Sequence, residues 1–289
     1  MKLGFIGFGE VGFEVSRGLK EEGLVGIVAY DVLQNDSVKG NLIKEHASIA
    51  DVTLLESPKA VLDCVDVVIV AVPGTFALET AKQLKPHLRK GLLYVDVSAA
   101  SPEIKRRIAD ELTETEILFV DGAMLGSLPL YKHKVPMLIS GNGSDLFINL
   151  MKDYHLKLDK ISDVPGEATG IKFVRSIFMK GLPALFVEVL EAAALMKVDN
   201  LVLESLASTM DACPFEETFN RLVTGSAIHA ERRAHEMESV IEMLESLNVE
   251  PTMSKATAER LTWLASKKLN EKFGGKTPKT WQEIIVAWN

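Results

Sequence analysis

A chain of 289 residues with 47% apolar side chains is long enough for about two domains with a sizeable core, and a net charge of −8 argues against nucleic acid as the main partner. Two distant cysteines, Cys64 and Cys213, supply neither a disulfide framework nor a metal motif. No charge-free apolar stretch reaches membrane-spanning length, and the apolar run at 3–8 is cut off too early for a signal peptide, so a soluble, cytoplasmic protein is expected, with no membrane partner.

Residues 2–7 read as a buried strand. GFGEVG follows and places Gly7, Gly9 and Gly12 in the pattern G-x-G-x-x-G, with a helix expected over 10–22. Gly7 permits a tight turn, Gly9 lets the backbone approach a pyrophosphate, and Gly12 allows close helix–strand packing. Phe8, Glu10 and Val11 fill the same turn and complete the expected cofactor contacts, beside the anion-attracting helix N-terminus. The next strand, 26–30, ends at Asp31. An acid at that point accepts hydrogen bonds from ribose hydroxyls and repels a 2′-phosphate, which favours NAD over NADP.

A third strand over 67–72 ends in Val72 and Pro73, at the carboxyl end that faces a ligand crevice, and a helix is expected over 75–88. A strand at 92–97 runs into DVSAASP, which puts Ser98 and Ser101 in a loop and Pro102 in the first turn of a helix. A strand at 117–120 runs into DGAMLGSLP, a loop containing Gly126 and Ser127. Strands at 137–140 and 156–161 complete the set. The strand–helix alternation predicts an N-terminal Rossmann-type, doubly wound, mostly parallel sheet over 1–164.

The stretch 166–195 changes character. It is apolar around nearly its whole helical circumference, which predicts a buried helix, and Pro183 is expected to kink it. Lys172, Ser176 and Lys180 follow one another at four-residue spacing and stack on one stripe. A desolvated Lys has a lowered pKa and can serve as a base; the plainer alternative has both lysines snorkelling to solvent. Helices are expected at 215–222, 227–247 and 251–269, with a short one at 281–288, so 165–289 reads as an all-helical substrate and dimerisation domain. His229, Arg232 and Arg233 share one helix and are candidate anion binders, with Arg175 beside Lys172 as another. ERRAHEME equally fits a solvated face laced with ion pairs.

The fingerprint, the Val72-Pro73 strand end, DVSAASP, DGAMLGS and the Gly166-x-x-x-x-x-Lys172 helix occur in an order that resembles the β-hydroxyacid dehydrogenase superfamily, whose members include 3-hydroxyisobutyrate and 6-phosphogluconate dehydrogenases and whose relatives include imine reductases. Residues 180–185 (KGLPAL) and 229–238 (HAERRAHEME) resemble a phosphogluconate-dehydrogenase-like subgroup with a little-characterised helical C-terminal domain. The resemblance implies that Lys172 is the catalytic general acid/base and that Ser98 is the family's loop serine. Ser176 stands where the family usually has Asn, and Leu125 where it has a substrate-loop Ser, with Ser127 two residues on. The expectation is an NAD-dependent homodimer that oxidises a small β-hydroxy acid or similar anionic alcohol. Lys172 is the base, Ser176 assists, Lys180 is held in reserve, and no metal takes part. The alternatives are an imine or keto reductase in the same cleft and an NAD-sensing regulatory protein without turnover.

Overall fold

The computed structural model describes residues 1–288, and the chain divides into two compact units, Met1–Ile177 and the residues from Phe178 on. The division falls inside a long helix, whereas the sequence places it ahead of that helix, at 164/165.

The first unit is built on β1 (Leu3–Ile6), β2 (Val28–Tyr30), β3 (Thr53–Leu54), β4 (Val67–Val70), β5 (Leu93–Asp96), β6 (Leu118–Met124), β7 (Met137–Ser140) and β8 (Leu158–Ser162). They form one sheet in the order β3-β2-β1-β4-β5-β6-β7-β8. The first six strands are parallel, β7 is antiparallel to β6, and β8 is parallel to β7. Strand order reverses between β1 and β4, so a crevice opens at their carboxyl ends. The helices are α1 (Glu10–Glu21), α2 (Gly40–Ala50), α3 (Pro58–Cys64), α4 (Ala77–Leu84), α5 (Pro102–Leu112), α6 (Leu128–Tyr131), α7 (Ser144–Met151) and the start of α8 (Glu167–Met196).

Central strands buried on both faces explain the continuous apolar runs LGFI and VVIV. Val67 and Ile69 join one core layer with Leu19 of α1 and Phe147 of α7. Val68 and Val70 join the other, with Ala81 of α4 and Ile108 of α5. The mostly parallel Rossmann-type sheet is therefore as expected. Five elements of the first unit, β3, α2, α3, α6 and α7, are missing from the sequence reading because their apolar patterns are short. The DGAMLGS segment is not all loop: Asp121 to Met124 continue β6, because the antiparallel partner β7 supplies the ladder from Asp121↔Ser140 to Met124↔Met137. The helix expected over 75–88 is shorter, with 3₁₀ turns at Gly74–Phe76 and Lys85–His87 flanking α4; Pro86 cannot donate an α-helical bond.

The second unit contains the rest of α8, then α9 (Asp199–Met210), α10 (Phe215–Ser246), α11 (Thr252–Ser266), α12 (Leu269–Lys272) and α13 (Trp281–Trp288). The all-helical character and the bounds of α13 agree with the sequence. The two helices expected at 215–222 and 227–247 are present within α10, joined across a kink at His229 (φ −110°, ψ 20°), so the break falls a few residues later than expected. α8 continues through Pro183 without a break. Glu188 of α8 is buried and caps α11, accepting from Ser254 N (2.9 Å), Ser254 Oγ (2.6 Å) and Met253 N (2.6 Å).

The expected burial of the 166–195 helix is not provided by the chain alone. Ile177 is 76% exposed, Val174 69% and Val187 65%. Among the described residues, no helix is long and apolar enough to cross a membrane.

Candidate functional site

A cavity of about 1380 Å³ lies within the first unit, at the crevice where strand order reverses. Gly7, Gly9, Glu10 and Val11 form part of its wall, as do Asp31, Val72, Pro73, Ser98, Gly126 and Lys172. Gly7 has φ +87°, and a Cβ there would lie 2.6 Å from the Ala71 carbonyl oxygen, so the turn requires glycine. At Gly9 a Cβ would meet nothing within 4 Å: the backbone is bare on the side where a ligand must approach. Gly9 also precedes α1 without any side-chain cap, leaving the first helical amides for an anion. These features fit a dinucleotide pyrophosphate.

Asp31 is half-buried and shapes the turn. Its Oδ2 accepts from Phe8 N (2.7 Å) and its Oδ1 from Leu33 N (2.8 Å). A carboxylate has about four lone-pair sites, so acceptor capacity remains for ribose hydroxyls. Two of the expected cofactor residues act differently from the others. The Phe8 side chain is fully buried in the core and its amide is spent on Asp31. Gly12 serves packing, since a Cβ there would lie 2.9 Å from the Phe8 ring.

Lys172 is half-buried on the cavity wall. Ser176 is half-buried too, but its Oγ donates to the Lys172 carbonyl (2.8 Å), so toward any ligand it can only accept. Lys180, the third member of the stripe, is exposed and belongs to the second unit, as do His229, Arg232 and Arg233. Arg232 is exposed and pairs with Glu236 (3.7 Å) one turn along, and His235 pairs with Glu238 (2.8 Å), the pattern of a solvated face. Arg233 donates to Ser226 within α10, His229 sits exposed at the bend, and Arg175 and Ser127 are exposed.

Behind the cavity lies a buried charge cluster that the sequence did not disclose. Lys105 of α5 is fully buried, and its Nζ reaches Asp96 Oδ1 (2.7 Å), Asp96 O (2.8 Å) and Asp121 Oδ1 (3.3 Å) at the ends of β5 and within β6. Asp121 in turn holds the start of α8. Its Oδ1 accepts from Thr169 Oγ1 (2.5 Å), and its Oδ2 accepts from Thr169 N (3.0 Å) and Gly166 N (3.1 Å). Gly166, with φ +89°, approaches so closely that a Cβ would lie 2.6 Å from the Pro102 carbonyl oxygen. Lys172 is therefore carried on a helix whose first turn is bonded to the sheet by a buried carboxylate. One signal was available: Lys105 shares an apolar stripe with Ile108 and Leu112, an odd place for a cation.

Residues 2–146 match the family described as the NAD binding domain of 6-phosphogluconate dehydrogenase, and residues 193–264 match a domain of unknown function, DUF1932. An uncharacterized 28.5 kDa protein from Methanothermus fervidus is 31% identical over 259 residues, covering 89% of this chain and 96% of that one. The conserved protein MTH1747, of unknown function but with structural similarity to 3-hydroxyacid dehydrogenases, is 32% identical over 93% of this chain and 99% of its own, with a TM-score of 0.61. An imine reductase from Myxococcus stipitatus shares the fold at 14% identity, covering 92% of this chain and 94% of that one, with a TM-score of 0.72 in complex with NADP⁺; a variant of it was solved with NAD⁺. By family match and by sequence relatives, the chain belongs to the β-hydroxyacid dehydrogenase superfamily, in the branch that joins a phosphogluconate-dehydrogenase-type NAD-binding domain to this helical C-terminal domain.

Proposed function

We propose that the protein is an oxidoreductase that oxidises a small β-hydroxy acid, or a similar anionic alcohol, with NAD. One observation carries this reading: Lys172 lines the same cavity as the glycine turn and Asp31. The bound nicotinamide supplies the hydride acceptor, or the donor in reduction. Gly7, Gly9 and the N-terminus of α1 hold the pyrophosphate, Asp31 receives the ribose hydroxyls and disfavours a 2′-phosphate, and Val72 and Pro73 wall the crevice. In its neutral form Lys172 takes the substrate hydroxyl proton as the carbon loses its hydride; in reduction the ammonium returns that proton to the oxygen. The charged form also draws an anionic substrate into the cleft.

The second copy of the chain is the partner this reading requires. Val174, Ile177, Val187 and Leu190 are 55–76% exposed along one helix, and a homodimer would remove them from water. Reduction of an imine is the second reading, favoured by Ser176, whose hydroxyl hydrogen is turned inward and which therefore suits an N–H donor.

Dinucleotide binding and turnover together test the proposal. Across a panel of small hydroxy acids with NAD, turnover is expected, and Lys172→Ala should lower it about 10²-fold or more while dinucleotide affinity stays the same. Binding of NAD with no turnover of any hydroxy acid would leave the imine reading, or an NAD-sensing protein, in its place.

A further inference from the structure

Ser98 follows β5 on the cavity wall, 5% exposed. Its Oγ lies 2.6 Å from Asp96 Oδ1, and its own amide donates to the same oxygen (2.9 Å). Lys105 Nζ makes a third bond there, at 2.7 Å. An oxygen receiving an amide and an ammonium carries no hydrogen of its own, so the hydrogen between Ser98 and Asp96 is the serine's. This holds in either charge state of Asp96, since a carboxyl proton would sit on Oδ2, which is buried and has no hydrogen-bond partner. Ala100 N also points at Ser98 Oγ, at 3.4 Å. The hydroxyl has spent its hydrogen inward, and what remains for the cavity is a lone pair.

We infer that the ligand group seated against Ser98 is an N–H hydrogen-bond donor, an amide or amine, and that a carboxylate is excluded from that position. Asp96 and Lys105 act as positioning residues that set this polarity. The inference rests on the dinucleotide reading of the cleft and makes it more specific. The substrate acid is held elsewhere, while Ser98 reads either the carboxamide of the nicotinamide or an N–H of the substrate. A net hydrogen bond of this kind corresponds to roughly a tenfold preference.

Titration calorimetry on the full chain tests this without turnover. One arm compares NAD with nicotinic acid adenine dinucleotide, which has a carboxylate in place of the carboxamide, and with the 3-acetylpyridine analogue, which can only accept. The other arm compares isobutyramide with isobutyrate in the presence of NAD. ADP-ribose, lacking the nicotinamide, is the control. In at least one arm the wild type should prefer the amide about tenfold, and Ser98→Ala should reduce that preference below about threefold with ADP-ribose affinity unchanged. The arm that responds tells whether the donor is on cofactor or substrate. Amide preference absent from both arms, preference unaltered by Ser98→Ala, or a loss in Ser98→Ala that falls mainly on the carboxylates overturns the inference alone. Failure of ADP-ribose to bind overturns the dinucleotide reading and the inference with it.

Discussion

Replacing Lys105 by Met keeps most of the stem's volume and packing but deletes its charge. Lys105, Asp96 and Asp121 are each fully buried, and the ammonium lies 2.7 Å from one carboxylate and 3.3 Å from the other. Without it, two carboxylates face each other away from water with no cation between them. Breaking a buried pair by removing one partner costs about 3–5 kcal/mol, because the charge left behind stays uncompensated. At about 2–4 °C per kcal/mol for a unit of this size, Tm should fall by roughly 6–20 °C. Thermal unfolding followed by circular dichroism at pH 7 gives the number directly. Adding Asp121→Asn to the same variant removes one stranded charge and should restore part of the loss, which a simple packing defect would not do. A Tm for Lys105→Met within about 2 °C of the wild type would refute the reasoning, since it would mean that the cluster is not electrostatically coupled.

Asp31→Ala should weaken NAD binding about tenfold and bring the affinities for NAD and NADP together, as the ribose acceptor is lost; equal or tighter NADP binding by the wild type, measured by calorimetry, would contradict the NAD preference. The Glu22 carboxyl is pulled down to about 2 from an ordinary 4.5 by hydrogen bonds from Lys134 and His155. A depressed acid contributes stability above its unfolded value and loses it as pH falls through the folded one, so Glu22→Gln should flatten the decline in stability between pH 4.5 and 2; an unchanged acid limb in denaturant titrations would show that the pairing does not matter. Ile177→Glu places a charge at a site 76% exposed in the single chain, and should convert a dimer to a monomer in sedimentation velocity; a monomeric wild type would remove the dimer proposal.

What the sequence made legible was local. The glycine turn, the strand–helix alternation and Lys172 follow from spacing within a few residues, and each has a physical reason readable in one dimension. The buried cluster does not: Lys105 meets partners on two different strands, and Asp121 meets Gly166 and Thr169 on a helix that begins some 45 residues later. In the motifs DVSAASP and DGAMLGS the serines and glycines draw the eye, whereas the leading aspartates, Asp96 and Asp121, anchor the site. The long 166–195 helix was legible as a helix, but its surroundings were not. Apolar periodicity records that a face is to be covered and is silent on whether the same chain covers it. At α10 the sequence indicated two helical segments, and the structure has them meeting at a kink at His229, a few residues later than the apolar pattern suggested.

The clamp behind the cavity also bears on how this family can diverge. The register of α5 is fixed by Ser101, whose Oγ accepts from Ile104 N, and by Pro102 in the first turn. One residue inserted between the Ser101 cap and Lys105 would swing the lysine about 100° around the helix, away from both acids. The first turn of α5 thus cannot change length, and a lineage that retains both aspartates is expected to retain the lysine. The three positions should be inherited as a single character: relatives either keep Asp96, Lys105 and Asp121 together or replace them together with apolar residues. A lineage holding the two acids alone would need another cation in their midst, and would mark where that branch rebuilt the footing of its lysine-bearing helix.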